Sequence, residues 1–175
     1  MKQEINVYTE AARINDAMKH GILLTTKVGD KVNTMTIGWG TMGIEWGKPI
    51  FTAFIRESRY TRELLDASGE FTVNIPMGES VSQILAFCGK NSGRNTDKIK
   101  ELGLTLEEPM FIAAPGIREL PLTLECKVLY RQVQDLNGMP QSILDRYYPA
   151  FNADGSPDRH IAYYSEILCA YQIEG

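Results

Sequence analysis

The apolar residues of this chain fall into short β-branched runs separated by turn residues, with only brief stretches at helical spacing. Gly21-Ile22-Leu23-Leu24-Thr25-Thr26-Lys27-Val28 predicts a strand, and Gly29-Asp30 supplies the turn into a second strand over residues 32–39. Ile50-Phe51-Thr52-Ala53-Phe54-Ile55 is apolar almost throughout, which predicts a strand buried on both faces. Phe71-Thr72-Val73-Asn74-Ile75 alternates and stops at Pro76. Leu122, Leu124, Cys126, Val128 and Tyr130 share one face of a long strand, with Thr123, Glu125 and Lys127 opposite. His160 to Ile173 predicts the last strand.

Helical signals are shorter. Residues 9–19 predict an amphipathic helix with Thr9 as cap and Ile14 and Met18 on one face. Ser58 reads as the N-cap of a helix reaching about Ala67, with Gly69 just past its end. Ser80-Val81-Ser82-Gln83 has the form of a capping box and predicts a helix over 81–88. Asn95 or Thr96 caps another short helix ending near Gly103, and 141–151 reads as helical before the turn-rich stretch Asn152 to Asp158. There is no repeat and no low-complexity tract. Hairpin-like succession of strands predicts a mainly β fold, an antiparallel barrel or sandwich, in one domain spanning 1–175.

Composition narrows the partners. The 175 residues carry a formal net charge of −4 with no basic run, which argues against nucleic acid, whose backbone demands clustered Lys and Arg. Cys88, Cys126 and Cys169 are dispersed and form no CxxC, so they read as buried thiols in a reducing compartment. The first 21 residues are polar, and no run approaches the roughly 18 apolar residues of a membrane span. The expectation is a cytoplasmic protein with no membrane attachment. Two histidines, His20 and His160, show no metal-ligand spacing, and no metal is expected.

Three segments carry chemistry. Asn33-Thr34-Met35-Thr36-Ile37-Gly38-Trp39-Gly40 alternates hydroxyl and apolar side chains and ends in glycines, which suits a strand edge gripping a flat, polar-rimmed ring. Arg56-Glu57-Ser58-Arg59-Tyr60-Thr61 places cations and hydroxyls at a helix start, where unpaired N–H groups bind phosphate. Ser92-Gly93-Arg94-Asn95-Thr96-Asp97-Lys98 repeats that arrangement. Taken singly, each cationic segment is explained better by a capped surface helix with solvated charges. Together, one ring segment and two phosphate segments point to a phosphorylated aromatic cofactor such as FMN. Gly38-Trp39-Gly40-Thr41-Met42-Gly43 matches GxGxxG, but Gly47 and Pro49 follow where the dinucleotide fold needs a helix, so a glycine-rich strand end and turn is the better reading.

In order and spacing these segments resemble the flavoredoxin and flavin reductase-like family of FMN-binding split barrels, from about Gly21 to Ile173. The resemblance rests on Asn33-x-Met35-Thr36-x-Gly38-Trp39, on Arg56-x-x-Arg59-Tyr60-Thr61, and on Phe71-Thr72-Val73-Asn74-Ile75-Pro76. Phe87-Cys88-Gly89-Lys90-x-Ser92-Gly93-Arg94-x-x-Asp97-Lys98 and the His160 to Glu166 spacing add to it. The chain departs from the family at Ser165, Asn95-Thr96 and Ile99, and in a longer tyrosine-rich connection over 138–159.

The resemblance implies a six-stranded antiparallel Greek-key split barrel with short peripheral helices. It also implies a homodimer with FMN near the interface. The ring would lie on residues 34–39 and on Ala53, Phe54, Ile55 and Arg56. The phosphate would lie near Arg59, Thr61, Ser92, Arg94 and Lys98, with Asn33 and Tyr60 in the same motifs. His160 would sit by the ring or an incoming nicotinamide as the catalytic candidate. Trp39 either stacks on the ring or packs a core or interface. Tyr147, Tyr148 and Phe151 either form a lid or pack a dimer contact.

The implied activity is that of an FMN-dependent oxidoreductase. It takes hydride from NAD(P)H and passes electrons to free flavin, a metal ion or a protein. The alternatives are a flavoredoxin-type electron carrier that does not oxidise NAD(P)H, and a barrel holding haem or another planar ligand.

Overall fold

The computed structural model describes residues 1–77 and 81–174. Strand β1 (Lys2–Glu4) precedes helix α1 (Val7–Met18). Strands β2 (Ile22–Val28) and β3 (Lys31–Ile37) form a hairpin, followed by the hairpin of β4 (Gly40–Glu45) and β5 (Lys48–Arg56). Trp46 and Gly47 turn that second hairpin with consecutive positive φ values of 52° and 70°, the type I′ geometry that matches strand twist. Helix α2 (Tyr60–Ser68) leads into β6 (Glu70–Ile75). Helices α3 (Ser82–Lys90) and α4 (Lys98–Leu102) come next, then the small pair β7 (Leu106–Glu107) and β8 (Gly116–Ile117). Strand β9 (Leu122–Val133), a 3-10 turn at Leu136–Gly138 and α5 (Gln141–Tyr147) precede β10 (His160–Ile173).

The main sheet is antiparallel, in the order β3-β2-β6-β9-β10-β5-β4, with β1 added beside the end of β10. Its two outer strands, β3 and β4, are consecutive in the chain and joined by Gly38 and Trp39 alone. So short a link spans roughly 10 Å. Seven strands laid flat would put those edges roughly 29 Å apart at 4.8 Å per step. The sheet therefore has to roll until its ends meet, and the chain makes a barrel. The barrel is expected from six strands, and β2, β3, β5, β6, β9 and β10 supply them; β4 and β1 extend it.

Closure is incomplete. β3 pairs only with β2, and the approach to β5 is marked by a single long bond from Phe54 N to Trp39 O, 3.5 Å. That seam is the split in the barrel.

The interior is filled by Ile22, Leu24, Phe51, Ala53, Ile55, Phe71, Val73, Leu122, Leu124, Ile161 and Tyr163, and α1 adds Ile14 and Met18. A second apolar cluster of Leu23, Cys88, Leu104, Ile117 and Leu120 holds α3 and α4 onto the outside of β2. All three cysteines are buried free thiols.

Several helix starts differ from the expected caps. Helix α1 begins two residues earlier, capped by Asn6, whose side chain accepts from Tyr8 N, while Thr9 donates its hydroxyl to Asn6 O. Helix α4 is capped by Asp97, because Asn95 N and Thr96 N both fold back onto Ser92 O and prolong the turn. Helix α5 stops at Tyr147 rather than 151, as Pro149 disfavours a helical residue before it. The expected capping box begins at Ser80, outside the described residues.

Candidate functional site

Three adjoining cavities run along the barrel seam. The middle one, about 210 Å³, is lined by Met35, Thr36, Ile37, Gly38 and Trp39 on one lip and by Phe54, Arg56, Arg59 and His160 on the other. Five consecutive residues from Met35 to Trp39 line it, although neighbouring side chains of a strand point to opposite faces. The cavity therefore meets the main-chain edge of β3, which has no strand partner on that side. Unpaired N–H and C=O groups along such an edge suit a planar ligand with donors and acceptors around its rim.

At one end the trough opens into a polar cavity of about 170 Å³. Ser58, Arg59, Tyr60 and Thr61 enter it from the start of α2, Cys88 to Gly93 from the last turn of α3 and the turn that follows, and Lys98 from α4. The N-cap of α2 is Arg59, with no side-chain capping bond. Ser58, the expected cap, is held elsewhere: its N–H and hydroxyl both donate to the Asp158 carboxylate, at 3.0 and 2.8 Å. The helix start is thereby left open towards the cavity.

Lys98 is 4% exposed, and its ammonium donates to Cys88 O at 3.1 Å. It has no carboxylate partner among the described residues. Burial, with Arg59 adding to it, pulls its pKa down. A buried ammonium left to one carbonyl is costly, and an anion in the cavity would relieve it. Arg59 and Lys90 line the same cavity, and no acidic residue does.

At the other end lies an apolar cavity of about 540 Å³, walled by Trp39, Phe54, Met139, Ile143, Tyr147 and Tyr148, with Gln134 beside them. Trp39 separates it from the trough. The indole packs against His160 with ring centroids 4.7 Å apart and meets Tyr147 edge-on at 5.2 Å. His160 pairs in the sheet with Arg56. Its Nδ1 lies 2.9 Å from the Tyr148 hydroxyl, which also donates to Gln134 Oε1 at 3.0 Å. Burial and the Arg56 guanidinium push His160 down from 6.5 to about 4, so the ring is uncharged at neutral pH. Arg56 is itself held, donating to Asp158 O and Tyr147 O across the end of the trough.

The structure gathers most, though not all, of the residues singled out in the sequence. Met35, Thr36, Gly38, Trp39, Phe54, Arg56, Arg59 and His160 line the trough, and Tyr60, Thr61, Ser92 and Lys98 line the polar cavity. Ala53 and Ile55 belong to the barrel core. Thr34 is fully buried, its hydroxyl bonded to Thr25 Oγ1 and Leu24 O. Asn33 donates to Thr61 Oγ1 at 2.8 Å and supports the helix start from beneath. Arg94 forks onto Glu63 and lies over the Tyr60 ring, outside the cavity lining. Phe151 bridges to Pro157 and lines none of the three cavities.

Sequence reasoning passed over Gln134, Met139 and Ile143. Nothing in their local pattern marks a site: Gln134 just past β9, Met139 just past the 3-10 turn and Ile143 in α5 reach the seam only through tertiary packing. His20 is exposed just past α1, as its position at a helix end suggests. Among the described residues no cluster of three His, Cys, Asp or Glu side chains is placed to hold a metal ion, and no helix is long and apolar enough to cross a membrane.

Comparisons with known proteins bear on the family and the fold. A family model described as flavin reductase-like domain matches residues 17–138. An uncharacterized protein of Archaeoglobus fulgidus is 33% identical over 100 residues, which is 57% of this chain and 55% of that one. The chain spans less than two thirds of the length of the curated relatives it matches. Flavoredoxin of Desulfovibrio vulgaris (Miyazaki F) superposes with a TM-score of 0.66 at 22% identity, over 88% of this chain and 69% of that chain. An FMN-binding domain of a flavin reductases-like enzyme from Shewanella baltica gives 0.64 at 19% identity, over 98% of this chain and 77% of that chain. At these identities the structures speak to the fold, which is the antiparallel split barrel.

Proposed function

The chain belongs to the flavin reductase-like domain family, and from that premise we propose that it binds FMN along the barrel seam and works as an NAD(P)H-dependent oxidoreductase. Electrons would leave to free flavin, a metal ion or a protein acceptor. The observation that carries the reading is Lys98, a buried ammonium without a carboxylate, facing a cavity built from a helix start and two further cations. That is the donor set of a phosphate site. It adjoins an open strand edge of the kind a ring system uses.

When bound, FMN supplies the redox chemistry; the protein supplies position and electrostatics. The main-chain edge from Met35 to Gly38 holds and orients the ring. Arg59, Ser92, Lys98 and the first N–H groups of α2 hold the phosphate. Asn33 fixes Thr61 in place. Trp39 and Phe54 wall the trough and exclude water, and His160 meets whatever approaches beside Trp39.

The test is a visible spectrum of protein mixed with FMN, desalted, then titrated anaerobically with NADH and with NADPH. Retained flavin bands that bleach are expected, and the better nucleotide names the donor. Bands that persist without bleaching would favour the electron-carrier reading. Lys98→Met should weaken FMN about 10- to 100-fold, since a hydrogen bond to a charged group contributes about 1.5–3 kcal/mol. Unchanged affinity in that variant would remove the phosphate from this cavity.

A further inference from the structure

The chain Gln134–Tyr148–His160 fixes more than the position of a ring. A phenol carries one proton, and the Tyr148 hydroxyl spends it on Gln134 Oε1 at 3.0 Å. Towards His160 Nδ1, 2.9 Å away, that oxygen can only accept. With the Gln134 amide oxygen facing the phenol, this arrangement favours the imidazole proton on Nδ1, and in a neutral ring so protonated the other nitrogen, Nε2, is a bare acceptor.

The backbone ties the three residues together. Gln134 N donates to His160 O at 2.9 Å, where β9 runs out beside β10, and Tyr148 N closes α5 onto Leu144 O. The Arg56 guanidinium lies over the Tyr148 ring, 5.2 Å from its centroid. His160 lines the trough, and its Nε2 has no hydrogen-bond partner among the described residues. The only fully buried, unpartnered side-chain polar atom among those residues is the Tyr171 hydroxyl, so Nε2 is open to the trough.

We propose that Tyr148 and Gln134 are positioning residues that hold His160 as the Nδ1–H tautomer, and that the second ligand of the trough is one that offers an N–H or O–H to Nε2. A primary carboxamide or a hydroxyl fits; a carboxylate or a fully substituted amide does not. This rests on the proposed oxidoreductase reading for its meaning, but the tautomer itself does not depend on bound flavin. The charged and titratable groups around the ring are Arg56 on β5, Asp158 and Arg59 on the neighbouring turns, and Tyr148 at the end of α5. Burial and Arg56 keep the ring neutral, and burial raises the Tyr148 phenol, which keeps its proton.

The experiment is a nitrogen-15 spectrum of the imidazoles near neutral pH on the full chain, with His20→Gln identifying the His160 signals. The Nδ1–H tautomer is expected, and Tyr148→Phe should shift the population towards Nε2–H. An Nε2–H tautomer in the parent protein, or a spectrum that Tyr148→Phe leaves unchanged, would overturn the assignment. Nicotinamide and N,N-dimethylnicotinamide, which differ in the amide N–H groups, are then added in turn. Nicotinamide should move the Nε2 resonance and the dimethyl compound should not; equal shifts, or none, would sink the donor requirement. Flavin retention after desalting is read on the same samples. Loss of flavin with the tautomer intact would count against the proposed function and leave the tautomer standing.

Discussion

At the scale of single residues, burial alters the ionisation of two groups along the seam, Lys98 in the polar cavity and His160 in the trough, and both effects have consequences. His160 titrates at about 4 in the folded chain against an ordinary 6.5, because burial and then Arg56 disfavour its charged form. Between those values the unfolded chain binds the proton more readily than the folded one, so stability rises with pH across the window. The destabilisation is absent above about 6.5, grows as pH falls, and is complete near 4. It is on the order of 3 kcal/mol. His160→Gln removes this titration. Denaturant unfolding of parent and variant at pH 4.5 and 7.5 should show a smaller acid loss in the variant. Equal losses would mean that His160 does not keep its depressed pKa in solution. Lys98 behaves alike in kind: an anion beside it would raise its pKa again, so phosphate binding and the charge on Lys98 reinforce each other.

At the scale of elements, the site depends on how loops dock against strands. The turn after α3 presses onto β3 and α2 so closely that a Cβ on Gly93 would lie 1.9 Å from Asn33 Oδ1. Asn33 cannot swing aside freely, since it is buried and bonded to Thr61 Oγ1. Gly93→Ala is expected to cost about 1–3 kcal/mol through this overlap. It should also weaken FMN, because the displaced turn carries Ser92 and leads to Lys98. Thermal unfolding and flavin titration measure the two effects separately; a variant as stable as the parent would show that the turn yields easily.

Across the seam, the Asp158 carboxylate takes both donors of Ser58, and Asp158 O accepts from Arg56. The turn before β10 thus clamps the start of α2. Residues 134–148 form the far wall by the same logic, with Tyr148 joining α5 to His160.

At the scale of the molecule, a rolled sheet with one unclosed seam leaves a groove open along its length. The surface exposes several large apolar side chains: Ile44 at 70% and Trp46 at 54% at the tip of the β4–β5 hairpin, and Phe151 at 67%, while the Tyr130 and Tyr164 rings lie 5.6 Å apart. Exposed apolar surface on this scale suits a partner surface, and the homodimer expected from the family resemblance would supply one. Sedimentation should give twice the mass of one chain, and Ile44→Glu combined with Trp46→Glu should shift it to the monomer. A parent protein that sediments as a monomer at micromolar concentration would end the dimer proposal.

Local pattern determined most of the strands, because alternation and β-branched runs record which side chains are inside. It placed β2, β3, β5, β6, β9 and β10 and the ends of α2 and α4 at Gly69 and Gly103, where left-handed backbone demands glycine. It also marked the cationic and hydroxyl segments, since those residue types near a helix start have few uses. What tertiary structure decided is which members of a motif face the ligand cavities. Thr34 and Thr36 are two residues apart in one strand. Thr34 is drawn into a buried network with Thr25, while Thr36 lines the trough. Arg94 and Lys98 belong to one segment, yet Glu63 captures the first and burial isolates the second. Gln134, Tyr148 and His160 are separated along the chain and share no pattern. They meet because β9 and α5 end where β10 begins, and only the folded chain brings those three termini together.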